Sequence, residues 1–145
     1  MIDSVTFEDY PQLLNVWESA VKNTHHFLSA EDFDYYKSQI PIYLPHLKLY
    51  AYENEKNEIR GFIGVSGVKI EMLFVDNTFR GMGIGRKLVN FALENLNASK
   101  VDVNEQNEQA IGFYKHLGFE IIGRSKVDGV GKNYPILHME YRSIL

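Results

Sequence analysis

The stretch FRGMGIGRKLV, Phe79 to Val89, decides how this chain is read. Gly81, Gly83 and Gly85 alternate with Met82 and Ile84, and Arg80, Arg86 and Lys87 flank them. The apolar run VKIEMLFV just before it reads as a strand. Leu88, Val89, Ala92, Leu93 and Leu96 just after it fall on one face of a helix. A helix's first turn has N–H groups with no partner inside the helix, and the helix dipole favours negative charge there. Glycines remove the Cβ atoms that would hold a phosphate away, and basic side chains add charge-assisted bonds. The stretch therefore predicts a turn that holds a phosphate-bearing ligand, rather than a plain strand-to-helix connection.

Two nucleotide loops fit poorly. A dinucleotide fingerprint needs G-x-G-x-x-G with an acidic residue about 20 positions on. Gly81 and Gly83 fit, and Asp102 lies in the right region, but Arg86 stands where the third glycine belongs. A P-loop fails because its G-K-[ST] ending is missing.

Around this stretch the chain is ordinary for a soluble globular domain. Its 145 residues make one domain with a core of its own. No apolar run approaches the roughly 20 residues that span a bilayer. The start, MIDSVTFEDY, lacks a signal-peptide pattern. There is no cysteine, which excludes disulfides, thiolate metal sites and a cysteine-linked intermediate. A cytoplasmic protein is expected. The net charge of −4 argues against nucleic acid as the main partner, whereas the local Arg80, Arg86 and Lys87 cluster suits a small anion. No metal-ligand spacing appears, so no metal is expected.

Ile2 and Val5 suggest a first strand, with Thr6 as a helix N-cap before Leu13, Val16, Trp17, Ala20 and Val21 at helical spacing. Ser29 caps a second helix, expected to end near Pro41 or Pro45. HLKLYAYE and IRGFIGVSG form a hairpin, and VKIEMLFV and KVDVN are further strands. Ala110, Phe113, Tyr114 and Leu117 mark a last helix closed by Gly118, and FEIIGRS and YPILHMEY make a closing hairpin. The order β-α-α-β-β-β-α-β-α-β-β predicts an α/β chain of the α+β kind. Its sheet is mixed, mostly antiparallel and twisted, with about seven strands and about four helices.

Arg80, Gly83 and Gly85 spell R-x-x-G-x-G, which resembles the acyl-CoA-binding motif of the GNAT N-acetyltransferases. Asn107, Ala110, Phe113, Tyr114, Gly118 and Phe119 match that family's second signature, N-x-x-A-x-x-F-Y-x-x-x-G-F. The element order is also similar, so the resemblance covers nearly the whole chain. It implies a GNAT acyl-CoA N-acyltransferase fold in which acetyl-CoA, the cosubstrate, lies where the fourth and fifth strands splay apart. Backbone groups of Phe74 and Val75 would hold the pantetheine arm. The amides of Gly81, Met82, Gly83, Ile84, Gly85 and Arg86 would hold the pyrophosphate, with Arg80, Asn107, Ala110 and Phe113 beside them. A β-bulge is expected near the end of IEMLFV to part the strands.

By the same resemblance Tyr114 is the general acid beside the thioester sulfur. Reference values of about 10 for tyrosine and about 8.5 for a thiol make full proton transfer uphill by roughly 2 kcal/mol. Either the site lowers the tyrosine, or its hydroxyl mainly stabilises the developing thiolate. An acceptor amine must lose a proton, because only about one lysine-like amine in a thousand is neutral at pH 7. Glu71, Glu105 and His25 are the candidate bases; both glutamates also fit as solvated charges. His138 alternates with apolar neighbours and reads as structural. Trp17, Thr24, Phe27, Leu28 and Tyr134 come from segments that shape the acceptor pocket in relatives, although Trp17 also sits on a helical apolar stripe. Asp128 would attract a cationic amine or serve its turn. The expected reaction is direct acetyl transfer to a primary amine of a protein, peptide or small molecule. The chain would act as a monomer or homodimer, without a membrane partner. A non-catalytic acyl-CoA sensor on the same fold is the competing class; an intact Tyr114 favours the enzyme.

Overall fold

The stripe Leu13, Val16, Trp17, Ala20 and Val21 is buried along one face of α1, Tyr10–Thr24. Thr6 precedes a short 3-10 turn, Phe7–Asp9, that leads into this helix. In α2, Ala30–Tyr43, the Ser29 side chain accepts the Asp32 N–H at 3.0 Å, so the N-cap falls where the sequence puts it. The helix runs through Pro41 and stops at Tyr43, with Pro45 in the 3-10 turn that follows. The computed structural model describes residues 1–142.

Strands β1 (Ile2–Ser4), β2 (Lys48–Glu53), β3 (Ile59–Ser66), β4 (Lys69–Val75), β5 (Lys100–Asn104), β6 (Phe119–Ser125) and β7 (Ile136–Tyr141) form one sheet in the order β1-β2-β3-β4-β5-β7-β6. Neighbours are antiparallel except β4 and β5, which are parallel and joined through α3, Ile84–Asn95. The mixed sheet and four α-helices are those the sequence predicts. Helix α4, Glu108–Leu117, begins at Asn107, whose side chain accepts the Ala110 N–H at 3.1 Å. It ends at Gly118, whose φ of 108° belongs to the left-handed region that glycine adopts freely.

Apolar cores lie on both faces of the sheet. On one face Ile63, Val65, Ile70, Val101, Val103 and Met139 pack with Leu88, Val89 and Ala92 of α3 and Tyr114 of α4. On the other, Phe62, Met72, Leu49 and Ala51 pack with Leu13, Val16 and Trp17 of α1. Among the described residues no helix is long and apolar enough to cross a membrane.

The site depends on how β4 and β5 part. They pair only at Lys69 with Lys100 and Ile70 with Val101. On the other edge of β4, Val65 faces Ile70 while Gly64 faces Met72, so Glu71 is an extra residue, a β-bulge. The bulge lies at the second residue after Lys69, earlier than the end of IEMLFV expected from the sequence. A bulge sharpens local twist, and one placed at Glu71 turns β4 away from β5 immediately beyond the last paired position.

Candidate active site

The opened strands enclose a cleft of about 420 Å³. Its wall along β4 is Leu73, Phe74 and Val75; α4 and its cap contribute Asn107, Gln109, Ala110, Phe113 and Tyr114. The loop before α3 supplies Phe79, Arg80, Gly81, Gly83, Ile84, Gly85 and Arg86, and the end of α1 supplies Ala20, Thr24 and His25. Residues far apart in sequence thus meet where the sheet opens.

The glycine loop is anchored from behind. Asp76 accepts the Thr78 N–H at 3.0 Å and the Ser19 hydroxyl at 3.3 Å, and Ser19 Oγ in turn accepts the Asn77 N–H at 3.1 Å. The Arg60 guanidinium lies 4.5 Å from the Phe79 ring centre. Gly81 and Gly83 have φ of 78° and 82°, and a Cβ on either would meet nothing within 4 Å. The surface above them is open backbone. The first bond of α3 runs from the Lys87 N–H to the Gly83 carbonyl at 3.0 Å, which leaves the Ile84, Gly85 and Arg86 N–H groups pointing out of the helix end. Arg80 hydrogen-bonds Gln109, tying the loop to α4. Met82 is 64% exposed and is not among the residues that line the cleft.

Gly83→Ala tests this backbone. A side chain at positive φ costs about 1–2 kcal/mol. The variant should show a lower thermal midpoint and, by titration, weaker binding of a phosphate-bearing ligand in this cleft.

Tyr114 is 5% exposed and lies edge-on to Phe113 and Phe119, with ring centres 5.1 and 5.2 Å away. Burial alone pushes its hydroxyl above the ordinary tyrosine value. His25 is held differently. The Thr24 hydroxyl donates to the Ala20 carbonyl at 2.7 Å, so its oxygen accepts from His25 Nδ1–H at 2.7 Å, and Nε2 keeps its lone pair. Burial, with a lesser contribution from His26, lowers the imidazole from 6.5 to about 4. The ring is therefore neutral at pH 7. Between those two values the unfolded chain binds a proton that the folded chain does not. Stability at this position is complete above pH 6.5 and is lost as pH falls toward 4, by at most about 3 kcal/mol. His25→Gln should flatten that part of the urea-midpoint profile.

Residues 15–142 match the family model described as the acetyltransferase (GNAT) domain. The chain belongs to the GNAT acetyltransferase family. This GNAT enzyme is 42% identical over 134 residues to the peptidyl-lysine N-acetyltransferase YjaB of Escherichia coli, covering 92% of this chain and 91% of that one. The solution structure of apo-form YjaB from E. coli superposes with a TM-score of 0.91 at 40% identity, over 99% of this chain and 98% of that one. The fold is also that of the PaiA N-acetyltransferase from Thermoplasma acidophilum, solved in complex with coenzyme A. There the TM-score is 0.70 at 18% identity, over 97% and 98% of the two chains. The chain is therefore an acetyl-CoA-dependent N-acetyltransferase.

The other expected residues of this GNAT enzyme lie outside the cleft lining. Glu71 is the exposed bulge residue of β4. Glu105 accepts Arg124 Nε at 2.5 Å and Nη2 at 3.2 Å, and this hydrogen-bonded pair lowers its carboxyl below the usual range. Trp17 is 3% exposed in the core, its ring 5.2 Å from Phe33 and 6.5 Å from Phe74. The Phe27 and Tyr134 rings lie 6.0 Å apart at a tilt of 56°, and Phe27 also lies 5.2 Å from His25. Tyr134 and Lys132 both bond Asp32, while Tyr36 bonds Asp128, clasping the β6–β7 loop to α2. Asp128 also accepts the Val130 and Lys132 N–H groups at 3.1 and 2.9 Å, so its oxygens serve the turn. Sequence reasoning missed Ala20, Leu73, Phe79 and Gln109 in the lining. Leu73 and Gln109 were legible as neighbours of Phe74 and Ala110; Ala20 and Phe79 required the tertiary approach of α1 to the loop.

Proposed function

We propose that this enzyme moves acetyl directly from acetyl-CoA to the side-chain amine of a protein or peptide lysine. The observation that carries the reading is the splay of β4 and β5, with open glycine backbone at one end and the Tyr114 side chain in its wall. The lysine acceptor is supported by the peptidyl-lysine N-acetyltransferase relative that shares most of the chain.

When bound, acetyl-CoA supplies the activated acetyl group. The amides of Gly81 to Arg86, joined by Arg80 and Arg86, suit its pyrophosphate, and Phe74 and Val75 offer strand backbone to its pantetheine arm. Asn107, Ala110 and Phe113 line the adjoining wall, and the Phe113 ring packs against the start of α3, where a Cβ on Gly85 would meet Phe113 Cζ at 3.4 Å, an ordinary contact. Tyr114 acts toward the departing sulfur. Because burial raises its hydroxyl, full proton donation is more uphill than the roughly 2 kcal/mol of the reference values, and a hydrogen bond to the developing negative charge is the favoured role.

On the acceptor side, Thr24 and His25 line the cleft, with Phe27 and Tyr134 behind them. Neutral His25 Nε2 accepts a hydrogen bond from the incoming amine and orients it. A base works best when its pKa lies near the working pH. His25 is too weak by that measure, Glu105 is committed to Arg124, and Glu71 is an exposed carboxylate.

Initial velocities with acetyl-CoA and a lysine peptide, each varied at several levels of the other, test direct transfer. Intersecting double-reciprocal lines are expected. Parallel lines, the mark of a covalent acyl-enzyme, would overturn it.

A further inference from the structure

A row of four polar side chains crosses the sheet where β4 and β5 part. Lys69 of β4 bonds Asp102 of β5. Asp102 Oδ1 accepts His138 Nδ1–H from β7 at 2.7 Å, and His138 Nε2 meets Ser125 Oγ of β6 at 2.7 Å. With Nδ1–H donated to the carboxylate, Nε2 is the accepting nitrogen and the Ser125 hydroxyl donates to it. Asp102 and its cross-strand partner His138 lie one residue past the last β4–β5 pair, Ile70 with Val101, while Lys69 belongs to the pair before it. Val101, Val103 and Met139 point into the core beneath α3 and α4, so by alternation Asp102 and His138 point to the opposite face, the one that carries α1 and α2. The row is not sealed there: the side chains of Asp102 and His138 are 30% and 36% exposed.

Resting on the acetyltransferase reading above, we propose that His138, oriented by Asp102 and reached through the Ser125 hydroxyl, takes the proton that the acceptor amine loses. The glycine loop and α4 occupy the α3–α4 side of the cleft, and Thr24 and His25 of α1 line its other side, which leaves the α1–α2 face that the row shares for the amine; the row itself lies outside the cleft lining, so water has to link the two. The ammonium gives its proton, through water, to Ser125 Oγ, while the Ser125 proton passes to His138 Nε2. The amine is left neutral, and the imidazolium is balanced by the Asp102 carboxylate. As the new amide bond forms the thioester C–S bond breaks, the sulfur leaves with the electron pair and takes up the second proton of the amine nitrogen to become the CoA thiol, and His138 returns the first proton to solvent. Asp102 and Lys69 are positioning residues. Burial raises the Asp102 carboxyl, but the bonds from Lys69 and His138 outweigh it and hold it ionised. The other charged groups that bear on His138 are Glu71 beside Lys69, Lys100 beside Asp102, and Glu140 and Glu120 two strand positions along. The Asp102 carboxylate fixes the His138 tautomer and ring orientation, which leaves Nε2 as the nitrogen that receives the proton.

The test compares His138→Gln with wild type, using acetyl-CoA and a lysine peptide across pH 7 to 10. Glutamine can still bond Asp102 and Ser125 but cannot carry the proton. Expected is a kcat loss on the order of 10²-fold at pH 7 that shrinks toward pH 10, where the peptide amine, with a pKa of about 10.4, deprotonates unaided. Acetyl-CoA affinity should be unchanged. A wild-type rate in the variant at pH 7, or a deficit equal at every pH, would overturn the proposal. Ser125→Ala, which leaves the His138–Asp102 pair intact, should show a smaller loss with the same narrowing, and it decides the matter if His138→Gln does not fold. Acetyl found on Ser125 by mass spectrometry would overturn the relay in favour of a nucleophilic serine. No turnover by wild type with any lysine peptide would overturn the lysine-acetyltransferase reading together with this one, whereas wild-type turnover with an unaffected variant would overturn this one alone.

Discussion

Tyr114→Phe is expected to lower kcat by on the order of 10²-fold while acetyl-CoA affinity and thermal midpoint stay close to wild type. The ring sits in a core of Phe113 and Phe119, and phenylalanine fills the same space. Only the hydroxyl is lost, whose ionisation burial alone raises and which has no side-chain hydrogen-bond partner among the described residues. The loss should appear in kcat rather than KM, because the interaction forms as charge grows on the sulfur. It should also differ from the His138→Gln loss in its pH dependence: raising pH frees the amine but does nothing for the departing thiolate. Stopped-flow thiol release in both variants would separate the two roles, and full turnover in Tyr114→Phe would remove Tyr114 from the reaction.

Trp17→Ala should cost about 3–5 kcal/mol of stability. Trp17 is 3% exposed, stacked on Phe33 of α2 and edge-on to Phe74 of β4, so one side chain joins both N-terminal helices to the strand that lines the cleft. Its removal leaves a cavity among groups fixed by the sheet, which collapse only in part. The helix it anchors also carries Ala20, Thr24 and His25 into the cleft wall. Urea unfolding would measure the loss, and a residual activity lower than the folded fraction explains would report the displaced acceptor side. A change below about 1 kcal/mol would mean that Trp17 is not a core residue.

Local signals made much of this molecule legible. The glycine loop, the stripe of α3, the Asn107 cap and the Gly118 stop each lie within a few residues, and each is set by backbone chemistry that a short window contains. Two structural details were less legible because they depend on strand pairing. Alternation tells which way a residue points and not which strand it meets, so the closing hairpin did not reveal that β7, rather than β6, lies against β5. The bulge at Glu71 similarly depends on the β3 register. The same blindness hid the polar row. His138 among apolar neighbours looked structural, and Asp102 drew attention only as a possible ribose ligand. Their partners lie 36 and 13 residues from His138, on strands that only the folded sheet brings together. Trp17 shows the converse: its helical stripe already pointed to the core, and the core is where it lies.

The most direct measurement is thiol release from acetyl-CoA by the wild-type protein, with and without a lysine peptide, followed by mass spectrometry of that peptide. Lysine acetylation by the β4–β5 cleft predicts release that depends on the peptide, matched one for one by acetyl on lysine, and absent when the lysine is replaced by arginine. Tight acetyl-CoA binding without peptide-dependent release, across peptides and other amines, would contradict it and mark the chain as a sensor built on the same fold.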